Sequence, residues 1–398
     1  MAKIALLSYH FWYNYGTCFQ AYALWFALKK YNVDAEYLNF GWRYPGGVDY
    51  YLENHYSYQR PNASFLQCVT LFAHRYKHAA RDMCVFKMLL RDWILIRNHA
   101  KFDAFKKKYI KESDPVDLNN NKEVLSCYEK FIVGSDQVWN PDCADEIYFK
   151  RFLLDFVESP GQKFCYAPSI GKDDVNASTE RLFVNYLASF SNVCCREVSG
   201  CNMLSRLLGK DIQQVLDPTF LLMPEEWREV ANYPDGDLPF VLCYILGDKK
   251  CIVQYALNLA RALGIGLRVV TENFQIISGF GRYVVGGVGP CEFIGLIDRC
   301  QFVVTDSFHG CALAINFNKS LRAFLKRSGG ETKADNARIP SLLSQFEIKG
   351  CLCSDDAGVD TVPTCYITSN ALLRNMRKTS ARYLKSVVLG QGEVVYDS

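Results

Sequence analysis

The first forty residues most constrain what this chain can fold into. An apolar run, "KIALLS" at residues 3–8, leads into a polar and aromatic loop, "SYHFWYNYG"; "CFQAYALWFALKKY" then repeats apolar positions at helical spacing, and "AEYLNF" is a second apolar run. Strand, loop, helix and strand in so short a span make a βαβ unit, whose right-handed crossover brings the two strands together in parallel. The chain is thereby predicted to build an α/β fold on a parallel sheet, with ligands held beyond the carboxyl ends of its strands. The loop at residues 8–16 lies at one such end.

The alternation breaks between residues 45 and 125, which read as a helical insert, and resumes at "KFIVGSDQVWNP", "KFCYAPSIG", "NVCCREVSG" and "QQVLDPTFLL". A second alternation opens at "LPFVLCYIL" and runs through "GLRVVT" to "FVVTD". Pro224, Pro234, Gly236 and Pro239 cluster between the two, which predicts one lobe over 1–225 and a second over 226–398, with a return of the C-terminal helix to the first lobe left open. Within the insert, residues 74–111 hold 11 Lys or Arg against three Asp, a local net of +8. That stretch reads either as the solvated face of a helical hairpin or as a contact for an anionic membrane or a phosphorylated acceptor. Phe86, Leu89, Leu90, Trp93 and Ile94 form its apolar stripe, or equally part of the core.

Four polar clusters follow the strands: Asn14-Tyr15-Gly16; Gly134 to Gln137 with Trp139; Arg196-Glu197; and Asp306 to Gly310. In a two-lobed α/β protein such ends face a common cleft. His309, placed after a strand and before the helical "CALAINF", reads as a buried core histidine or as a titratable acid at a helix N-terminus. In the second reading Ser307 and the backbone N–H of Gly310 lie beside an anion. Arg196 offers a planar fork for carboxylate or phosphate. Asp136 reads as a turn residue or a general base, and Trp139 as core or as an apolar platform for a sugar ring. The glycines of "GFGRYVVGGVG" lack the strand-then-GxGxxG arrangement of a dinucleotide site.

Together, "SYHFWYNYGTCFQAYAL", "FIVGSDQVWNP", "CREVSG", "VLDPTFLL", "VGPCEFIGLIDRCQFVVTDSFHG" and "ADNARIPSLLSQFEI" make a chain that resembles the polysaccharide pyruvyl transferases over nearly its whole length. The pairing of GSDQVWNP with TDSFHG is more specific than either motif alone. Cys311 and Ala312 depart from the small and bulky apolar pair common after the histidine-glycine, and Ser320 stands where proline is frequent. The resemblance implies two Rossmann-like lobes similar to the B-type glycosyltransferase architecture, with the helical insert in the N-terminal one. It also implies phosphoenolpyruvate as co-substrate, no resident cofactor, and a cyclic pyruvate ketal on a surface-polysaccharide sugar as product.

On this resemblance His309 takes the family's histidine and Arg196 its arginine for the donor anion. Ser307, Gly310 and Arg338 then join the donor side; Asn14, Tyr15, Gly16, Gln137 and Trp139 form the acceptor side, with Asp136 as the base. A sugar-nucleotide glycosyltransferase and a non-catalytic saccharide-binding relative are the competing readings. A 4,6-ketal on a hexose such as galactose is the family-like first trial.

Composition limits the partners. A net charge of +3 gives no whole-surface case for nucleic acid, and 17 scattered cysteines, an odd number, read as reduced thiols. Cys351-x-Cys353 and the adjacent Cys194 and Cys195 lack zinc-site spacing, so no metal is expected. Without a secretory signal pattern or a long apolar run, the expected location is cytoplasmic, with peripheral contact at the inner membrane face where a polyprenyl-linked acceptor would lie.

Overall fold

The computed structural model describes residues 3–40, 84–117, 122–236, 239–326 and 333–388. Its first sheet starts with strand β1 (Lys3–Leu7), helix α1 (Tyr15–Lys30) and strand β2 (Asp34–Asn39), as the opening pattern requires. Helix α2 (Cys84–Tyr109) leads into β3 (Glu112–Pro115), and β4 (Tyr128–Val133) and β5 (Lys163–Cys165) complete the sheet. The order is β3-β2-β1-β4-β5, every pair parallel. This is the order of five of the six strands of a dinucleotide-binding sheet, and its direction reverses between β1 and β4. Leu7 pairs with Val133 there, which sets the loops after β1 and β4 side by side.

A short parallel pair, β6 (Cys194–Cys195) and β7 (Gln213–Gln214), brackets helix α3 (Val198–Leu208). The second five-stranded sheet contains β8 (Phe240–Tyr244), helix α4 (Lys250–Leu263), β9 (Gly266–Val270), helix α5 (Pro290–Arg299) and β10 (Phe302–Thr305). Helix α6 (Phe308–Asn316), β11 (Ser320–Phe324), helix α7 (Lys333–Gln345) and β12 (Leu352–Cys353) follow, and helix α8 (Ile367–Arg382) closes the described chain. The strand order β12-β11-β10-β8-β9 is again parallel and reverses between β8 and β10, where Tyr244 pairs with Thr305. The α/β class with two parallel sheets is therefore as the sequence pattern predicts. The end of α8 and the residues after it return to the first lobe: within the helix Ser380 Oγ accepts the N–H of Leu216, just past β7, at 2.9 Å, and beyond it the Tyr383 hydroxyl donates to Cys165 O at the end of β5 at 3.3 Å.

Most of the expected insert, including residues 45–83, lies outside the described residues, as do the side chains of Phe86, Leu89, Leu90 and Trp93. The described part of α2 is not a fully solvated helix. Ile94, Asn98, Phe102 and Phe105, spaced by four, four and three residues, are all buried, which is one side of a helix. Asn98 Oδ1 accepts the N–H of Val288 at 2.9 Å, and Lys101 Nζ pairs with Glu292 at 2.5 Å, so α2 braces the second sheet's α5 against the first sheet. Lys106 donates to Phe11 O at 3.3 Å and lies 4.0 Å from the Tyr13 ring centroid, while Lys107 and Lys108 stay exposed.

His99 makes this brace sensitive to acid. It stacks on Tyr13 at 4.2 Å, with Glu272 at 3.8 Å, and burial pushes its imidazole down to about 4, Asp103 opposing that shift and Lys106 adding to it. A folded-state value below the ordinary one means the unfolded chain takes up the proton first. Stability is therefore full above roughly pH 6.5 and falls by about 2 kcal/mol as the pH drops to 5. His99→Phe, which keeps a ring on Tyr13, should flatten this loss in urea midpoints measured at pH 7 and pH 5.

Candidate functional site

The two reversal points face each other. Between them lies a cavity of about 190 Å³, lined from the first lobe by Asn14, Thr17, Asp136 and Gln137 and from the second by Asp306, Ser307, Phe308 and His309, with Lys326 and Arg338. Two helix N-termini thus converge on one space. Asn14 caps α1, its Oδ1 accepting from Gly16 N at 2.8 Å and Thr17 N at 3.3 Å. Ser307 caps α6, its Oγ accepting from Gly310 N at 3.3 Å. Because Ser307 N donates to Thr305 Oγ1 and Gly310 N is taken by the cap, the N–H groups of Phe308 and His309 are the first-turn donors of α6 left without an acceptor among the described residues. Unpaired N–H groups at a helix start carry partial positive charge and suit an anion.

Asp306 fixes this wall. Its two carboxylate oxygens accept from Leu246 N and Gly247 N, each at 2.8 Å, which ties the loop after β8 to the end of β10. Burial pushes its carboxyl above the ordinary value, against the pull of those two N–H groups and of Lys326. On the opposite wall Asp136 sits at φ +67°, a left-handed conformation that aspartate tolerates, and its Oδ1 accepts the N–H of Gln137. Gln137 Oε1 in turn accepts from Asn140 Nδ2 at 2.7 Å.

Several sequence expectations change here. Gly310 does not offer a free donor: its N–H is used by Ser307, and a Cβ there would lie 2.6 Å from Thr305 Oγ1, so this glycine lets α6 pack onto its own strand. Trp139 is fully buried, donates Nε1–H to Phe152 O at 3.0 Å and packs edgewise against Phe190, which leaves no ring face for a sugar. Tyr15 is likewise core: its hydroxyl donates to Val288 O at 2.7 Å and its ring stacks on Phe293 at 4.5 Å, joining the lobes. Gly16 does belong to the site, as the surface on which the His309 ring rests.

Arg196 changes most. Its side chain is 3% exposed; Nη1 donates to Asp217 Oδ2 at 2.9 Å, Nη2 reaches Glu197 Oε1 at 3.2 Å, and the guanidinium lies 4.2 Å from the Phe308 ring centroid. With both terminal nitrogens held by buried carboxylates, it does not line the cavity as a donor-anion fork. Among the described residues, the Lys and Arg side chains that line it are Lys326 and Arg338.

Sequence reasoning passed over Asp217 altogether. Burial alone would raise its carboxyl, but the His309 imidazole, the Arg196 guanidinium and the Thr219 N–H outweigh burial and hold it well below the usual carboxylate range. Its Oδ2 lies 3.5 Å from His309 Nε2. Removing one member of such a buried charge cluster typically costs 3–5 kcal/mol, roughly, because the others are left uncompensated. Arg196→Met should therefore unfold at a markedly lower denaturant concentration than the unaltered protein, whereas loss of a mere ligand contact would leave the midpoint in place.

Among solved structures, the chain is similar to S. aureus MnaA in a co-structure with UDP, at 10% identity and TM-score 0.48 with 100% of each chain covered. It is also similar to UDP-GlcNAc 2-epimerase from Neisseria meningitidis bound to UDP-GlcNAc, at 9% identity and TM-score 0.46 over 98% of this chain and 100% of that one. A glycosyltransferase from Rickettsia africae ESF-5 follows at 10% identity and TM-score 0.40, with 98% and 99% covered. No curated protein matches the chain. The family model for polysaccharide pyruvyl transferase matches residues 14–324, a span that starts at the α1 cap and takes in Asp136, Arg196, Asp217 and the whole first turn of α6. On that match the chain belongs to the polysaccharide pyruvyl transferase family.

Proposed function

We propose that this protein transfers pyruvate from phosphoenolpyruvate to a sugar of a surface-polysaccharide unit, closing a cyclic ketal. The observation that carries the reading is His309 in the first turn of α6, inside the span matched by the family model and lining one cavity with Asp136. The donor's phosphate and carboxylate would take the N–H groups of Phe308 and His309, Ser307 Oγ, and the charges of Lys326 and Arg338; Asn14, Thr17, Asp136 and Gln137 are left for the sugar.

In the first step protonated His309 gives its proton to the methylene carbon of the enol phosphate, and the central carbon becomes oxocarbenium-like. A sugar hydroxyl attacks that carbon and releases its proton to Asp136. The carbon–oxygen bond to phosphate then breaks, the electron pair leaving with the phosphate, which takes the proton held by Asp136 and departs as hydrogen phosphate, and a second hydroxyl of the same sugar adds to the new oxocarbenium centre. Its proton returns to His309. One phosphoenolpyruvate and two hydroxyls thus give one ketal and one hydrogen phosphate, with both groups restored. Fixed N–H donors and cations around the cavity stabilise the charge that moves to phosphate.

The acceptor is proposed to be carried on a polyprenyl phosphate at the inner membrane face, with the protein cytoplasmic and bound there only peripherally. No helix among the described residues is long and apolar enough to cross a membrane. Incubation with phosphoenolpyruvate and a panel of polyprenyl-linked and free hexoses tests the reading. Phosphate release with an acceptor mass gain of pyruvate less water is expected. Release of a nucleoside diphosphate from a sugar nucleotide would replace it with glycosyl transfer, and sugar binding without turnover would make the protein a binding module.

A further inference from the structure

We infer that Asp217 positions His309: its carboxylate takes the Nε2–H of the imidazole, so that Nδ1, packed on the first turn of α1, is the nitrogen that exchanges protons with the ligand. This deepens the proposed reading and rests on it only for the identity of the ligand.

The argument starts from what holds Asp217. Its side chain has no solvent exposure. Oδ1 accepts from Thr219 N at 3.0 Å and Thr219 Oγ1 at 2.7 Å, and Oδ2 accepts from Arg196 Nη1 at 2.9 Å; Ser135 Oγ lies 3.2 Å from Oδ2, but its single proton is directed to Ala167 O at 2.9 Å. Three donors from two segments hold the carboxylate in place. Asp217 is therefore a fixed acceptor, and its open side faces His309 Nε2.

The imidazole shows the complementary pattern. Nε2 is buried and has no hydrogen-bond partner, yet it lies 3.5 Å from Asp217 Oδ2. An approach of roughly half an ångström would complete the bond, and catalytic hydrogen bonds are often long before a ligand is present. The ring nevertheless lines the cavity, so it reaches the ligand by an edge other than Nε2. Gly16 lies against the ring beside Nδ1: a Cβ there would stand 2.0 Å from Nδ1, 2.6 Å from Cγ and 2.8 Å from Cε1, more over the ring face than in line with the nitrogen's lone pair, so α1 seats the ring without capping Nδ1. A buried carboxylate bonded to one imidazole nitrogen selects the tautomer and orients the ring, leaving the other nitrogen for proton transfer. Arg196, held by Asp217 and Glu197, keeps the carboxylate charged and in place.

Asparagine at 217 cannot reproduce this. With its amide nitrogen at the Oδ2 position it would meet the Arg196 donor and donate to Nε2, enforcing the opposite tautomer; turned over, it would oppose the Thr219 N–H. The test begins with the unaltered protein. Labelling the histidines with ¹⁵N and identifying His309 among the six by its loss in His309→Gln, neutral His309 is expected to carry its proton on Nε2. A neutral Nδ1–H tautomer overturns the assignment.

Asp217→Asn is then expected to shift the ring to Nδ1–H and to lower kcat by roughly 10²–10⁴-fold, the span of a lost general acid. KM for phosphoenolpyruvate should stay within about threefold. An Asp217→Asn protein that keeps the Nε2–H tautomer and normal kcat equally overturns the assignment. Should that variant fail to fold, the tautomer in the unaltered protein still decides. Because the spectra need no substrate, an absence of pyruvyl transfer would defeat the functional reading and leave the positioning role standing or falling on the tautomer.

Discussion

His309→Gln lowers turnover by roughly 10²–10⁴-fold, the contribution of a positioned general acid, in a protein that remains folded. Glutamine fills most of the imidazole's volume, and its amide can donate to Asp217 as Nε2–H does, so the buried carboxylate keeps a neighbour on that side. What glutamine cannot do is release a proton to a methylene carbon. His309→Ala should lose as much activity and, in addition, about 1–3 kcal/mol of stability, because a cavity opens where the packed ring was. The measurements are continuous phosphate release from phosphoenolpyruvate and the thermal midpoint of each variant. Near-normal turnover by the glutamine variant would show that His309 is a packing residue, as its 8% exposure equally allows.

The parts of this site legible in the sequence are those fixed by local pattern. Apolar runs such as Phe302–Thr305 end in polar residues because a buried parallel strand must emerge at a sheet edge, and two such edges meet where each strand order reverses. Hence His309, Ser307, Asn14, Asp136 and Gln137 are found on one cavity. Side-chain direction after a strand is another matter. Trp139 and Tyr15 follow the same signals as the cavity residues, but a turn of the backbone sends them into the core, and that turn depends on tertiary packing.

Arg196 illustrates a different blindness. Its residue type points correctly to a carboxylate, but that carboxylate is Asp217, 21 positions away, brought near because β6 and β7 pair in parallel. In isolation Asp217 before Pro218 reads only as a cap, and it is one: it also accepts the N–H of Thr219 at the start of a short turn. Composition reads only one side of the basic helix α2. Its lysines mark the exposed side, while the helical spacing of Ile94, Phe102 and Phe105 is the signal that finds its buried side.

Gly16→Ala is expected to be the most damaging methyl group that can be added to this protein. A Cβ at Gly16 would lie 2.0 Å from His309 Nδ1, 2.6 Å from Cγ and 2.8 Å from Cε1, so either the imidazole or the start of α1 must move. Neither is loose. Asn14 Oδ1 holds the Gly16 N–H at 2.8 Å, and beyond the imidazole stand the fixed Asp217 carboxylate and the Phe308 ring, whose centroid is 5.2 Å away. In an open helix, glycine to alanine gains up to about 1 kcal/mol; here overpacking of this kind costs about 1–3 kcal/mol. The larger consequence is chemical, since displacing an acid by an ångström costs about 10²-fold in rate. Turnover should therefore fall by about that factor, and the ¹⁵N signals of His309 should shift while those of the other histidines hold. Gly358→Ala, at a position with nothing within 4 Å, supplies the control and should change neither. Full activity in Gly16→Ala would mean that the imidazole does its work from another place, and with it the close approach of α1 to His309 would lose its part in the reaction.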